Sequence, residues 1–308
     1  MNESLTMETT PTSPTLPATT PPPAPRHRIR RVLSSFGATG LIGLAVLVFW
    51  LLAAVVGPAL LPAHLITSGD GNGDVFGPMS AAHWFGTDYL GRDMFVRVVE
   101  GARYTVGVAL VATLLASGTG TVLALFAAAM GGLVDATLSR VLDTLTAIPS
   151  KMFALLMVAG FGSSVTMLVL TAAIIYVPGA YRIARSLAVN INALDYVVVA
   201  RTRGEGTLYI MLREILPNIL GPMLADLGLR FVYVVLLLAS LSFLGLGIQP
   251  PSADWGSLVR ENIGALPDAG ASVIVPALAI ASLTIAVNLV IDNLPGPGRP
   301  GARERGGR

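Results

Sequence analysis

Five stretches of this chain contain no Asp, Glu, Lys or Arg: residues 32–69, 104–134, 152–181, 231–253 and 269–291. About 20 consecutive apolar residues carry a helix across the hydrocarbon layer of a bilayer, and each stretch exceeds that length. Hydrophobic residues make up 53% of the 308 positions and charged residues 12%, about half the roughly 25% charge of a soluble globular protein. A soluble fold of this size could not hide so much apolar surface. The pattern predicts an all-α polytopic membrane protein.

Residues 1–25 are rich in Thr, Pro and Ser and show no apolar period, so residues 1–31 are expected to form a disordered tail. Arg26, His27, Arg28, Arg30 and Arg31 precede the first apolar stretch. That stretch is much longer than the 7 to 15 residues of a signal-peptide core and has no clear small-residue cleavage site, so it reads as a retained anchor. Residues 32–103 are expected to hold the first span, about 38–61, and an extracytoplasmic loop. Residues 104–294 are expected to hold the core, with spans near 104–131, 141–161, 165–182, 219–248 and 273–294, and residues 295–308 a second tail.

Residues 141–185 could hold one helix or two, and Gly160 to Ser164 reads as a turn between two. Charge distribution decides, because Lys and Arg flanking spans favour the cytoplasmic side. Six spans place the N-terminal arginines, Arg140, Lys151, Arg182, Arg185, Arg201, Arg203, Arg213 and the arginines of the last tail inside, and leave only Arg92, Arg97, Arg103 and Arg260 outside. Five spans invert the later segments and put most of the basic residues outside. Six spans are therefore expected, with both termini and the loop 195–218 in the cytoplasm.

That loop, DYVVVARTRGEGTLYIMLREILPN, reads as two short helices with a break. Asp195 is placed to cap the first. Gly204 and Gly206 end it, since glycine takes the left-handed geometry of a helix terminus and admits close approach of another backbone. Thr207 is placed to cap the second, which is expected to stop at Glu214 or Ile215, because the residue before a proline is pushed out of the α region. Pro217 suits the first turn of the following span. The result is a bent rod joined to a membrane helix. From spacing alone, an interfacial loop that sets its arginines against anionic headgroups is the favoured reading.

The residues Asp195, Tyr196, Ala200, Arg201, Gly204, Ile215, Leu216, Pro217 and Asn218 resemble the ATPase-coupling loop of ABC importer permeases. Two further segments, HWFGTDYLGRDMFVRVVEGARYT from His83 and LSFLGLGIQPP from Leu241, followed by Asp254, Trp255 and Gly256, resemble the second, C-type permease subunit of the dipeptide/oligopeptide/nickel branch. The resemblance covers roughly residues 83–294. It implies a type I importer permease that carries peptides, or alternatively nickel or another small solute. It also implies a homologous B-type permease, two ATP-binding subunits and an extracytoplasmic solute-binding protein as partners, with no nucleic acid and no cofactor. The chain departs from the family pattern in three places: Val198 stands where an acidic residue is usual, Glu214 where a basic residue or His is usual, and 295–308 is a Gly-, Pro- and Arg-rich tail.

The chain cannot itself burn ATP. Lys151 is its only lysine and Met follows it, so there is no phosphate-binding loop. With no cysteine, scattered histidines and no paired carboxylates, a membrane enzyme fits poorly; an ATPase-independent channel is the other rival. Asp88 and Asp93 read as turn and helix caps rather than a cation loop, and His64 and His83 lack a third metal ligand nearby. Trp255 fits an interfacial aromatic belt. Asp226 and Arg230 are one helical turn apart and are expected to pair; Arg230, Ser242 and Phe243 are candidates for the translocation pathway.

Overall fold

The computed structural model describes residues 37–61, 74–267 and 270–294. The two tails and His64 lie outside these. Five helices are long and apolar enough to cross a membrane: α1 (Ala38–Leu60), α2 (Met94–Met130), α5 (Val165–Asn192), α7 (Thr207–Phe243) and α9 (Ala271–Asp292). Between α2 and α5 lie α3 (Gly132–Thr146) and α4 (Ser150–Phe161), bent by 82° at their break, which supply a sixth apolar crossing when taken together. Two shorter helices complete the set among the described residues: α6 (Asp195–Thr202) and α8 (Trp255–Asn262).

Three expectations about helix limits change. The second span starts at Met94, not Tyr104: Asp93 accepts a hydrogen bond from Val96 N at 3.1 Å and caps it. Its first turns looked like loop because they carry Arg97 and Glu100, yet these pair at 2.9 Å and are buried. The third span is not one helix over 141–161. Pro149 has no N–H to continue α3, and it restricts Ile148 ahead of it, so the chain turns there and restarts at Ser150. The fourth span runs on to Asn192, past the expected end at 182, where Arg185 pairs with Asp135 of α3 and Arg182 with Asp143 at 3.0 Å. The turn expected at 160–164 is present, with Gly162 at φ 85° and Ser164 capping α5 through Met167 N.

Helices in a membrane gain little from apolar burial against one another, so close backbone approach at small residues does much of the holding. Gly120 of α2 shows this. A methyl placed on it would stand 2.6 Å from Ala180 Cβ and 2.8 Å from Tyr181 N of α5. Gly118, half a turn away, faces open space. Gly120→Val is therefore expected to cost about 1–3 kcal/mol, read as a lower unfolding midpoint in detergent, while Gly118→Val leaves the midpoint unchanged.

The buried side chains form two clusters along α2. One gathers Met94, Val98 and Ala102 with Trp255 and Leu258 of α8. The other gathers Ala124, Leu125 and Ala128 with Tyr181 of α5, Val197 of α6 and Ile210, Ile215 and Ile219 of α7. The loop 195–218 thus packs at one end of α2 and α8 at the other.

Candidate functional site

The loop is two helical pieces with a break at Gly204, which takes φ 84°. Its caps differ from expectation. Leu194 occupies the N-cap of α6 and Asp195 is the first helical residue, acting there through its charge at the positive end of the helix. Gly206 occupies the N-cap of α7, and Thr207 follows it as the first helical residue. The second piece does not stop before Pro217. It continues without interruption into the membrane helix, because residues Ile210–Ile215 widen into a π-helical turn in which Leu216 N donates to Met211 O. That wider turn accommodates the proline ring and missing N–H, which a regular α-helix would not. Asn218 Nδ2 donates to Glu214 O at 2.6 Å and to the Tyr196 hydroxyl at 3.1 Å, tying α7 to α6 across the break.

One face of the loop is fixed to the bundle. Val197, Ala200 and Ile215 are fully buried, and the absence of side-chain bulk at Ala200 lets α6 lie close. Arg201 Nη2 donates to Ala129 O and to Asn192 Oδ1, both at 2.9 Å, and Asn192 Nδ2 donates to Ala128 O at 2.9 Å. A cation against the last carbonyls of α2 also meets the negative end of that helix. Arg201 is therefore an anchor. The opposite face is exposed: Asp195, Tyr196, Val198, Val199, Arg203, Gly204 and Leu208 are open to solvent. A methyl on Gly204 would touch nothing within 4 Å. Val198 and Val199, each about half exposed, make this face apolar at the position where an acidic residue was expected.

The three pathway candidates fall in different surroundings. Arg230 is buried in α7, held by Asp226 at 2.7 Å and donating to Tyr176 O of α5 at 2.9 Å, so the expected pairing is present. Ser242 is buried and donates to Asp254 Oδ2. Phe243 is exposed at the end of α7. Asp254 also accepts from Ser257 N at 2.7 Å, forming a capping box that starts α8; burial pushes its carboxyl above the usual range, and the Ser242 and Ser257 hydrogen bonds oppose that.

The helix α8 carried no clear signal in the sequence, and Trp255 is not an interfacial residue. It is fully buried, its Nε1 donates to Val98 O at 2.9 Å, and its ring meets Trp50 edge-on with centroids 4.6 Å apart. Gly256 and Gly247 make the fit possible, since a methyl on either would strike Ala239 or Ser242 of α7. Asp88 and Asp93 act as caps: Asp88 Oδ1 accepts from Leu90 N and Arg92 N, both at 2.8 Å, and Asp93 also holds His83 Nδ1 at 2.8 Å.

Residues 120–295 match the family model of the binding-protein-dependent transport system inner membrane component. The chain is 37% identical over 257 residues to a putative peptide transport system permease protein of Brucella suis, with 82% of this chain and 84% of the relative covered. It is 33% identical to the dipeptide transport system permease protein DppC of Alkalihalophilus pseudofirmus, covering 82% and 83% respectively. It is 34% identical to the probable D,D-dipeptide transport system permease protein DdpC of Escherichia coli, covering 70% and 73%. A helical bundle with five long apolar helices and a bent apolar helix pair, carrying these matches along most of its length, belongs to the family of binding-protein-dependent transport system inner membrane components, the multi-pass permeases of ABC transport systems.

Proposed function

We infer that this chain is one of two transmembrane subunits of an ATP-driven importer of peptides, working with a homologous permease, two ATP-binding subunits and an extracytoplasmic binding protein. The observation that carries the mechanical part is the continuity of the loop with α7. An exposed apolar knob at Tyr196, Val198 and Val199 is joined through Asn218, the π-turn and Ile215 to a helix of 37 residues. Force applied to the knob by closure of an ATPase dimer reaches α7 through the Tyr196–Asn218 hydrogen bond and the buried packing of Val197 and Ile215, which bridge the break at Gly204. In this reading the face that carries the basic residues of the loop and of the α3–α5 end is cytoplasmic, as are both termini, because Lys and Arg beside spans favour that side.

In this reading Phe243, exposed at the far end of α7, meets the pathway directly. Arg230 and Ser242, held by Asp226 and Asp254, position α7 against α5 and α8. Peptides are the substrate class because the relatives that cover most of the chain are named for peptide transport.

The test is uptake by the reconstituted complex in proteoliposomes. Labelled di- and tripeptides are expected to accumulate only with ATP and the binding protein present, and Ni²⁺ is not. Accumulation of Ni²⁺ but not peptide would replace the substrate class, and ion conductance by this subunit alone would replace the importer with a channel.

A further inference from the structure

Four of the buried polar atoms that lack a hydrogen-bond partner in the described residues belong to one cluster: Arg92 Nη2, Arg97 Nε and Nη2, and Glu261 Oε2. Buried donors and acceptors are nearly always satisfied, so such a concentration calls for a cause. The cluster sits where three elements meet. Arg92 belongs to a hairpin, residues 87–93, closed by the antiparallel bridge between Thr87 and Asp93 just ahead of α2; Arg97 belongs to the first turns of α2, and Glu261 to the last turn of α8. Arg92 spends its Nε on Asp88 Oδ2 at 2.6 Å, and Arg97 spends its Nη1 on Glu100 at 2.9 Å and Pro251 O at 3.0 Å. What remains is a pair of guanidinium edges and one carboxylate oxygen.

Arg92 Nη2 stands 3.9 Å from Glu261 Oε2. A charge-assisted hydrogen bond needs about 2.8 Å, so a relative movement of about 1 Å between the hairpin and α8 would close it. The hairpin and α8 already touch through Tyr89 N, which donates to Asn262 Oδ1 at 3.1 Å. The two elements are therefore held by one neutral bond, with an ionic bond poised beside it.

We propose that Arg92, Arg97 and Glu261 form a proton-operated latch between the hairpin 87–93 and α8, closed when Glu261 is ionised and released when it is protonated. An ionised Glu261 offers Arg92 an acceptor and attracts the Arg97 charge as well. A protonated one removes the charge, and only the Tyr89–Asn262 bond remains. Asp88 and Glu100 already accept hydrogen bonds from Arg92 and Arg97, so a proton entering the cluster meets those two carboxylates engaged. Glu261 is the member without a hydrogen-bonded guanidinium, and it accepts that proton.

The charged groups acting on Glu261 are Arg97 from α2, Arg92 and Asp88 from the hairpin, and Arg260 from its own helix. Burial is the largest influence and pushes its carboxyl above the usual range, with Arg97 and Arg92 opposing and Asp88 adding to the rise. The sign follows: the latch is closed at high pH and opens as pH falls through a value above that of a free glutamate. The cluster lies at the end of α2 opposite the coupling loop, so the protons that work it come from the opposite face of the membrane.

The chain has no cysteine, so a labelled pair can be introduced cleanly. Leu90 in the hairpin and Ile263 beyond α8 are both exposed. Spin labels on Leu90→Cys and Ile263→Cys in the assembled complex would report the gap by dipolar broadening. Broadening is expected to weaken as pH is lowered from about 7.5 to 5, and Glu261→Gln is expected to show the weak broadening at every pH. His83 pairs with Asp93 at the start of α2 and is the nearest histidine to the cluster among the described residues, so His83→Asn is the control and is expected to keep the response. The proposal falls if broadening does not change with pH, if the change survives in Glu261→Gln, or if it is lost in His83→Asn.

Discussion

Gly204→Val is expected to abolish uptake by the assembled transporter while the subunit still inserts and folds. The reason differs from the one spacing suggests. A side chain at this position meets nothing within 4 Å in the chain itself, so the fold does not need the space. What it needs is φ 84°, a region that a β-branched residue enters at a cost of about 1–3 kcal/mol. Such strain is enough to shift the loop out of the shape that fits a partner by tenfold or more, yet it touches neither buried cluster. Asn tolerates the left-handed region far better than Val, so Gly204→Asn separates the two demands. It keeps the backbone but puts a side chain into the space beside the exposed knob. If the ATPase packs closely there, Gly204→Asn also loses ATP-dependent uptake while keeping the wild-type unfolding midpoint. Normal uptake by Gly204→Val would remove the loop from the coupling mechanism.

The second large effect is expected at Asp226. Arg230 lies in the middle of α7, 6% exposed, and three of its four short contacts are to the Asp226 carboxylate, at 2.7, 3.0 and 3.2 Å. The fourth is to Tyr176 O, and Gly179 leaves room for the guanidinium against α5: a methyl there would lie 2.9 Å from Arg230 Nη1. Asp226→Ala removes the counter-charge and leaves a buried cation, which costs about 3–5 kcal/mol. Replacing both partners, Asp226→Leu with Arg230→Met, removes the stranded charge as well, and such replacements are often neutral or stabilising. The expected order of unfolding midpoints in mixed micelles is therefore wild type near the double variant, with Asp226→Ala well below both. Wild-type stability in Asp226→Ala would mean that Arg230 reaches water, and would make it a residue of the pathway itself rather than one that positions α7.

The spans were legible because crossing a bilayer depends on the transfer of each residue from water to hydrocarbon, a property local to the segment. All five charge-free stretches contribute to apolar helices, and the need for left-handed backbone at Gly204 was visible because glycine is the residue that takes it without strain. The loop's caps were less legible. Asp195 and Thr207 are good capping residues, and each fell one position inside its helix, because Leu194 and Gly206 already had extended backbone geometry there. Pro217 does stand in the first turn of the α-helical run from Leu216, as expected, but the helix before it does not stop: a π-turn, a register change that no single residue announces, joins the two. The limits of α2 failed for a different reason. Arg97 and Glu100 looked like loop residues because their charges were counted separately, whereas the fold buries them as a pair.

The amino-acid sequence by itself determined that the chain crosses a membrane repeatedly and that its basic residues gather beside particular spans, since both follow from the kinds of residue present and their order. Tertiary structure alone decided that residues 207–215 run without a break into the membrane part of α7, that Arg201 is an anchor against the end of α2, and that α8 plugs Trp255 into the bundle beside the Arg92, Arg97 and Glu261 cluster. These depend on groups distant in the chain meeting at hydrogen-bond range. Such meetings are set by how whole helices pack, and a linear pattern of apolar and charged residues does not record them.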